Sequence, residues 1–437
     1  MTTTAPAAAP GAAHLLAALL HDALGGPSPV RLRAWDGSES GPADAPVVVV
    51  RSRRALRRLL WQPGELGLAQ AYVTGELDVE GDLAHGLRTL WAAHRERGPR
   101  PPRRTPADRA RALAAAVRLG AVGPRPAAPA SQARLRGGLH SRARDRAAIS
   151  HHYDLSNEFY ALLLDDTMAY SCGYWAGGKG DFTAADAQRA KLELICRKLA
   201  LKPGARLLDV GCGWGSLTLH AAQRHGALVT AVTLAREQAA YVRGQVRERG
   251  LTERVEVVCQ DYRDIRGGAY DAVSTVEMGE HVGDAGYPAF AAALHRLVRP
   301  GGRVLVQQMS RGRNAPGGGA FIEAYIAPDM HMRPLGETVA LLEEAGLEVR
   351  HTESLREHYV RTVEGWHRTL EERWERFAEL AGEETARVWR LYLAGAALAF
   401  EEGRMGVDQI LAVRPGPGGA SGMPATTDAW YEGLEKP

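Results

Sequence analysis

The chain has 437 residues, of which 45% are hydrophobic and 24% are charged, and its formal net charge is +3. This composition is typical of a soluble globular protein with enough residues for two domains, and it excludes a chain that is disordered throughout. The longest apolar runs, at 15–20 and 391–400, are shorter than the roughly 20 residues that cross a bilayer, so we expect no membrane span.

The first basic residue is Arg31, and four cysteines are spread over the chain without CxxC spacing. An N-terminus of this kind lacks the basic region of a secretory signal, which predicts a cytoplasmic protein. So few cysteines exclude a disulfide framework and argue against a structural zinc site. We therefore expect a cytoplasmic protein without a bound metal.

Residues 1–93 predict a small N-terminal domain, with a buried strand at Val47–Val50 and a basic helix over 52–60. Residues 94–143 follow as a Pro/Arg-rich basic linker with one helix over 107–119. Between positions 95 and 146 the chain carries 14 arginines against three acidic residues. This charge is equally consistent with a solvated spacer and with a strip attracted to anionic lipid headgroups or nucleic acid.

Residues 144–437 predict an α/β domain, because short apolar strands alternate with helical patterns. Such alternation is typical of a doubly wound, Rossmann-like parallel sheet. A long helical region over 360–400 and a last strand over 409–413 end the domain. The other strands are predicted at 206–210, 228–232, 255–259, 272–276, 303–307 and 348–352, and the intervening helices at 216–224, 236–249 and 287–298.

The strongest motif is LLDVGCGWG at 207–215, where a strand ends and a helix begins. Its glycines, Gly211, Gly213 and Gly215, allow the backbone to approach a ligand that a Cβ atom would exclude. The spacing is GxGxG rather than the GxGxxG of dinucleotide folds, and Asp209 at the strand end suits a cationic amino-acid moiety. The motif predicts an S-adenosylmethionine site, and the alternative is a tight turn without a ligand.

Polar residues follow the next two predicted strands, at the sheet edge where such folds bind ligands. Thr233, Leu234 and Gln238 follow the second strand, where a ribose would be held, and Asp261 follows the third, where adenine would lie. Each residue alone could be a helix cap or a solvated charge. Their joint spacing favours one nucleoside site.

Five motifs in this order resemble the cyclopropane fatty acid synthase family, which includes enzymes that modify mycolic acids and enzymes that add a methylene or methyl branch to oleoyl chains. The resemblance runs from about residue 64 to 414, and its first motif is similar to the family's small lipid-associated N-terminal domain. The motifs are GELGLAQAYVTGELDVEGDL at 64–83, HYDLSNEFYALLLDDTMAYSCGYW at 152–175, LDVGCGWG at 208–215, VTLAREQ with CQDYRD at 232–264, and VEMGEHVG at 276–283.

The resemblance implies a class I methyltransferase domain and a set of S-adenosylmethionine contacts. These contacts fall on Tyr170, Ser171, Asp209, Gly211, Cys212, Gly213, Gly215, Thr233, Leu234, Gln238, Asp261 and Glu280. It also implies a methyl acceptor, the cis double bond of an unsaturated phospholipid acyl chain.

The resemblance further implies how a proton is removed. In the family a bicarbonate ion, held by a Cys, a Glu, a His and a Tyr, is thought to be the base. Cys172, Glu280 and Tyr359 match three of these positions, and Gln307 stands where the histidine usually is. A neutral amide can hydrogen-bond an anion but cannot carry a proton, so these four residues form an altered catalytic set.

An alkene is a weak nucleophile with no proton to lose before attack, so the enzyme has to align it with the methyl donor and exclude water. The positive charge that forms needs nearby anions or aromatic faces, and a base then removes a proton. Ring closure gives a cyclopropane, whereas a double bond to the transferred carbon gives a methylene branch. Residues 321–335 resemble the methylene-forming relatives, so we expect that product, with the cyclopropane as the alternative.

The expected partners are an anionic phospholipid surface at the inner face of the cell membrane and, for a methylene product, a separate reductase. A homodimer is expected by analogy with relatives. Two other classes of function stay open: methylation of a soluble small molecule at N or O, and a non-catalytic binder of lipid or nucleic acid. The linker lacks the aromatic residues of a stacking platform, so nucleic acid is not the expected partner.

Overall fold

The protein is described by a computed structural model that covers residues 11–97, 105–133, 137–141, 144, 155–177, 182–312 and 317–435. Its contacts divide the chain into two compact units. The first comprises residues 1–132 and 382–398, and the second comprises residues 133–381 and 399–437. None of the described helices is both long and apolar enough to span a membrane.

The first unit is a small α+β domain with a four-stranded sheet. The two middle strands, Arg31–Ala34 and Val47–Val50, are parallel, and the edge strands Glu39–Ser40 and Leu77–Val79 are antiparallel to their neighbours. Alternate strand residues are buried against an apolar core, as expected for a sheet covered on one face. The helices are Ala12–Leu24, Arg53–Trp61, Glu65–Val73, Leu83–Arg97 and Pro106–Arg118, and part of Glu383–Glu401 joins them.

Residues 105–132, within the predicted basic linker, belong to this first unit. Leu119 and Ala121 are buried, and Arg57 and Trp61 donate hydrogen bonds to the carbonyl groups of the turn that follows the helix Pro106–Arg118. The other arginine-rich parts of the linker, at 98–104, 134–136 and 142–143, lie outside the described residues.

The second unit contains a seven-stranded sheet. Its strands, numbered on from the four strands of the first unit, are β5 (Arg206–Val210), β6 (Leu228–Thr233), β7 (Val255–Cys259), β8 (Tyr270–Val276), β9 (Val298–Ser310), β10 (Glu348–Ser354) and β11 (Gly406–Val413). Across the sheet they lie in the order β10-β11-β9-β8-β5-β6-β7. The α-helices of this unit are Asn157–Leu163, Ala184–Lys198, Ser216–Arg224, Arg236–Glu248, Tyr287–Leu297, Ala320–Tyr325, Leu335–Glu344, Arg356–Glu372, Trp374–Ala381 and the end of Glu383–Glu401. Short 3₁₀ turns lie at Tyr262–Asp264, Gly279–His281, Pro417–Gly419 and Asp428–Trp430.

The predicted doubly wound α/β sheet is confirmed, and two features differ from the prediction. Strand β11 is antiparallel to both of its neighbours, β9 and β10, so β10 runs in the same direction as the five parallel strands. The helical region expected over 360–400 is divided into three helices. Gly382, with φ +82°, adopts the left-handed conformation that ends the second of them.

The strand order reverses between β5 and β8, since β6 and β7 lie on one side of β5 while β8 and β9 lie on the other. In an open parallel sheet, the loops that leave the carboxyl ends of such a neighbouring pair diverge and create a crevice. The glycine loop follows β5, and the segment 277–283 follows β8. The fold therefore brings two sequence motifs to one crevice.

Candidate active site

A pocket occupies this crevice, and the glycine turn forms one wall. Gly211, Cys212 and Gly213 line the pocket, while Gly215 begins the helix Ser216–Arg224. All three glycines have φ between +53° and +82°. A Cβ atom on Gly215 would lie 2.9 Å from Val242, so this position also requires glycine for packing.

Asp209 lines the same pocket but is nearly fully buried. Its carboxylate accepts hydrogen bonds from the hydroxyl groups of Thr218 at 2.7 Å and Ser274 at 3.0 Å. Burial raises the pKa of Asp209, and the two hydroxyl groups oppose this shift. The carboxylate is thus held rigidly at the end of β5, beside the glycine turn.

Three residues that follow β6 line the pocket: Thr233, Leu234 and Gln238. The Thr233 hydroxyl donates to Gln238 Oε1 at 2.8 Å, which fixes the orientation of the amide. Gln238 Nε2 is buried and has no acceptor among the described residues. A buried donor without a partner is costly, so this atom is suited to a ligand hydroxyl such as that of a ribose.

The structure after β7 differs from the prediction that adenine would lie beside Asp261. The Asp261 carboxylate begins the 3₁₀ turn Tyr262–Asp264 and pairs with Arg263 at 2.6 Å. Gln260, Tyr262 and Arg263 line the pocket, whereas Asp261 is not among the lining residues. Contacts to an adenine ring would therefore come from these neighbours, with Asp261 holding Arg263 in place.

We expect Gln238→Leu to weaken binding of the predicted S-adenosylmethionine about 3- to 10-fold, which is the usual contribution of one hydrogen bond. The variant keeps the side-chain volume but removes the buried donor. Calorimetric titration with the cofactor measures the change. Gln245→Leu on the same helix is the matched control, because its amide pairs with Glu248 on the exposed surface.

Tyr170 and Ser171 line the opposite part of the pocket, together with Lys191. A capping box between Thr183 and Asp186 begins the helix Ala184–Lys198, which carries Lys191. The Lys191 ammonium group is nearly fully buried and donates to the Ser171 hydroxyl at 2.8 Å. Burial lowers the pKa of Lys191, and nearby carboxylates, Glu277 first among them, oppose the shift.

Glu277 brings the predicted catalytic residues together. It follows β8 directly, lines the pocket, and has φ +51°, a backbone conformation that non-glycine residues rarely adopt. The Tyr359 hydroxyl donates to Oε2 at 2.5 Å, while Gln307 Nε2 at 2.9 Å and the Cys172 backbone amide at 2.8 Å donate to Oε1. Three donors on three separate elements therefore converge on one carboxylate.

A chain of polar side chains fixes the Gln307 amide. The Lys198 ammonium group can only donate, and it donates to Gln409 Oε1 at 2.8 Å. Gln409 Nε2 then donates to Gln307 Oε1 at 2.9 Å, which leaves Gln307 Nε2 as the group that faces Glu277. Gln307 therefore acts as a hydrogen-bond donor to this carboxylate. Burial raises the pKa of Glu277, while these donors and Lys191 favour its charged form.

Cys172 takes part through its backbone rather than its thiol. Its Sγ atom is fully buried and lies 3.3 Å from the Gly173 carbonyl oxygen and 3.6 Å from that of Leu355. Burial raises the pKa of this thiol well above its ordinary value. The thiol is thus a neutral, buried group beside two backbone carbonyl oxygens.

We expect Cys172→Ala to retain kcat within about tenfold, since alanine keeps the backbone amide that contacts Glu277 and removes only a weak thiol donor. Steady-state kinetics with the labelled methyl donor test this. Cys196→Ala, another fully buried thiol in the same unit, controls for the packing cost. A loss of 100-fold or more confined to Cys172→Ala would assign the thiol a role in the reaction.

Glu280, the carboxylate predicted from the family resemblance, makes no hydrogen bond to the Glu277 cluster among the described residues. It is fully buried, accepts one hydrogen bond from the Met309 backbone amide, and is not among the pocket-lining residues. Its Oε2 atom has no partner among the described residues. Burial, together with the nearby Glu277 charge, raises the pKa of Glu280 to about 8.

The structure explains why a glycine, Gly279, stands next to Glu280. A Cβ atom at this position would lie 2.1 Å from Gln308 Oε1 and 3.3 Å from the Tyr287 ring. The Tyr287 hydroxyl donates to the same Gln308 oxygen at 2.6 Å. A buried polar pair therefore occupies the space that a side chain at position 279 would need.

Aromatic rings line the pocket and pack against Tyr359 of the Glu277 cluster. Tyr359 stacks on Phe400 with ring centroids 4.5 Å apart, and Tyr170 lies 5.2 Å from Trp366. Trp214, in the pocket wall, lies 4.4 Å from Tyr160. Ring faces stabilise a nearby positive charge, so the pocket combines a carboxylate with the surroundings that a carbocation requires.

The sequence reasoning missed Glu277 and Lys191. Glu277 stands at the carboxyl end of a parallel strand, where ligand-binding residues of this fold class are expected, and that position could have identified it. Lys191 is one of only five lysines in a chain with 49 arginines, but its burial beside Glu277 depends on tertiary packing.

The cluster around Glu277 does not fit a resident bicarbonate ion. The donors that would hold the anion, from Tyr359, Gln307 and Cys172, already bind the Glu277 carboxylate. A second anion beside this carboxylate would be repelled at short range. By contrast, the orphaned amide of Gln238 and the glycine turn fit the predicted nucleoside cofactor.

Comparisons with known proteins give one family match and several similar chains. Residues 140–410 match the family described as mycolic acid cyclopropane synthetase. The chain is 37% identical over 407 residues to a probable fatty acid methyltransferase of Mycobacterium tuberculosis, covering 91% of this chain and 94% of that protein. It is 34% identical over 410 residues to the tuberculostearic acid methyltransferase UfaA1 of the same organism, covering 89% and 88% of the two chains.

Among solved structures, the mycolic acid cyclopropane synthase CmaA1, in a complex with SAH and CTAB, is 30% identical with a TM-score of 0.58. The match covers 61% of this chain and 98% of that chain. The family match spans more than half of the chain. The chain therefore belongs to the mycolic acid cyclopropane synthetase family, and it is an S-adenosylmethionine-dependent methyltransferase.

Proposed function

We propose that this enzyme methylates the cis double bond of an unsaturated phospholipid acyl chain and that Glu277 removes the proton that completes the reaction. The single observation that carries the proposal is the Glu277 carboxylate, which lines the cofactor pocket and is oriented by Tyr359, Gln307 and the Cys172 amide. The likeness to a probable fatty acid methyltransferase and to a tuberculostearic acid methyltransferase supports an acyl-chain acceptor.

The bound cofactor would supply an electrophilic methyl group on a sulfonium centre. The glycine turn at 211–215 and Gln238 would hold it, while Tyr170 and Trp214 would flank the acceptor. Methyl transfer to one alkene carbon leaves a positive charge on the other carbon. The Glu277 carboxylate and nearby ring faces would stabilise this charge. The buried site would also exclude water, which would otherwise add to the cation.

We favour a methylene-branched product. A hydride shift places the positive charge on the chain carbon that bears the new methyl group. Loss of a methyl proton to Glu277 then forms a double bond between that chain carbon and the new carbon. Loss of the proton with ring closure, before any hydride shift, would give the cyclopropane instead. The likeness to the tuberculostearic acid methyltransferase across nearly the whole chain supports the branched outcome. A separate reductase would then convert the methylene group to a methyl branch.

The test is to incubate the full chain with methyl-labelled S-adenosylmethionine and oleoyl-phosphatidylglycerol vesicles, and to analyse the released fatty acids by mass spectrometry and proton NMR. Signals from the two protons of a methylene (C=CH2) branch support the proposal. Cyclopropane ring protons would establish the alternative product. Cofactor binding without any label in lipid, combined with turnover of a water-soluble amine or alcohol, would replace the proposal with soluble-substrate methylation.

A further inference from the structure

Two helices of the second unit bring a thiol and two imidazole rings together. Cys196 lies near the end of the helix Ala184–Lys198, His220 lies on the helix Ser216–Arg224, and His225 follows that helix directly. The Cys196 Sγ atom and one ring nitrogen of each histidine all lie within 4.8 Å of one another. None of the three residues lines the cofactor pocket, so the cluster is separate from the site described above.

A carboxylate orients both rings. Glu193 precedes Cys196 by one helical turn, and its Oε2 atom lies 3.1 Å from His220 Nε2 and 3.0 Å from His225 Nε2. Its Oε1 atom accepts a hydrogen bond from Arg197 Nε at 2.7 Å. These hydrogen bonds, that of His220 first, hold the pKa of Glu193 well below its ordinary value, so the carboxylate is ionised. A carboxylate that fixes an imidazole ring is the usual neighbour of a metal-bound histidine.

The donor types favour one class of ion. Thiolate sulfur and imidazole nitrogen are the ligands of Zn²⁺, whereas Mg²⁺ and Ca²⁺ prefer oxygen ligands. Cys196 is fully buried, but the side chains of His220 and His225 are 14% and 16% exposed, so an ion can reach the cluster from solvent. Burial raises the pKa of the Cys196 thiol well above its ordinary value, so this thiol is neutral without an ion. Metal binding releases the thiol proton to solvent, because only the thiolate is a ligand.

We propose that Cys196, His220 and His225 bind a zinc ion that links the two helices. Three protein ligands form a zinc site whose fourth position is left for an oxygen donor. The ion ties the helix that carries Lys191 to the helix that begins at the glycine turn, so it stabilises two supports of the pocket without contacting the cofactor. This proposal replaces the expectation of a chain without a bound metal, which depended on the lack of CxxC spacing.

The test titrates the full chain, stripped of metal by a chelator, with Zn²⁺ in competition with a chromogenic chelator, and records the absorption spectrum with Co²⁺ in place of Zn²⁺. The ligand variants are Cys196→Ser and His225→Gln. Cys259→Ser is the matched thiol control, because Cys259 is an exposed thiol in the same unit. His367→Gln is the matched histidine control, because its ring also lies against a carboxylate, that of Glu371 at 3.2 Å, but outside the cluster.

We expect the wild type and both controls to bind a single Zn²⁺ ion and to show a thiolate-to-cobalt charge-transfer band with Co²⁺. The ligand variants should bind Zn²⁺ more than about 100-fold more weakly, because loss of a ligand exceeds the cost of losing the carboxylate in Glu193→Gln, about 10- to 100-fold. Zn²⁺ should also raise the midpoint of thermal unfolding of the wild type but not of the ligand variants. In metal-free protein Cys196→Ala loses only packing, so it remains the control for Cys172→Ala.

Unchanged Zn²⁺ affinity in the folded ligand variants would overturn the proposal. So would Co²⁺ binding by the wild type without the charge-transfer band, a result that does not depend on the folding of any variant. Loss of binding in Cys259→Ser alone would assign the ion to the exposed thiol instead. If the wild type binds no Zn²⁺ and Glu193→Gln still lowers the thermal stability, the cluster is an ion pair between a glutamate and two histidines. None of these measurements uses a methyl acceptor, so their outcome is independent of the proposed function.

Discussion

Glu277→Gln is expected to lower kcat about 10²- to 10⁴-fold, the usual contribution of a positioned proton acceptor, while changing cofactor affinity less than about threefold. The amide fills the same space and can still accept a hydrogen bond from the Tyr359 hydroxyl group, but it cannot take a proton from the substrate. Single-turnover assays with labelled methyl donor measure the chemical step, and calorimetry measures cofactor binding. Glu357→Gln, an exposed residue on the helix that carries Tyr359, is the control.

The pH profile adds a second test of Glu277. Burial raises the pKa of this carboxyl group above its ordinary value, and only the ionised form can act as the base. The rate should therefore fall as the pH decreases through this raised pKa. Recovery of the Gln variant by added bicarbonate would show that an exogenous ion removes the proton, and a nearly normal rate without bicarbonate would remove Glu277 from the reaction.

The cofactor half of the site was predictable because its residues follow one another in a local pattern. A glycine turn after β5 and polar residues after β6 are encoded within about 30 consecutive residues, and parallel strands bring their carboxyl ends to one edge. The pocket accordingly contains Gly211, Thr233 and Gln238. Strand positions were predictable for the same reason, since buried parallel strands are continuous apolar runs.

The acceptor half depends on contacts that no local pattern encodes. Tyr359 and Cys172 lie far apart in the chain and meet at Glu277 only because the helix Arg356–Glu372 and the segment after 170 pack on the same end of the sheet. Gln307 faces Glu277 because Lys198 and Gln409 fix the orientation of its amide. A resemblance identified three of these residues as a group, but the carboxylate at their centre required the three-dimensional structure.

Glu280→Gln is expected to stabilise the protein at high pH and to leave kcat within about tenfold. Burial and the Glu277 charge raise the pKa of Glu280 to about 8, so the folded protein holds a proton that the unfolded chain releases near pH 4.5. The free energy of unfolding therefore falls as the pH rises between these values, by up to about 1.4 kcal/mol per pH unit. A glutamine is neutral throughout and lacks this penalty, because it needs no proton to remain uncharged in the buried site.

The measurement compares urea unfolding of the two proteins from pH 5 to pH 8. The difference between their free energies of unfolding should change by up to about 4 kcal/mol across this range in favour of Glu280→Gln. Glu357→Gln should show no such change, because its carboxylate is exposed. If the difference stays constant with pH, Glu280 is ionised in the folded protein. If the unfolding data agree but the folded variant loses turnover as completely as Glu277→Gln, Glu280 takes part in the reaction in its protonated form.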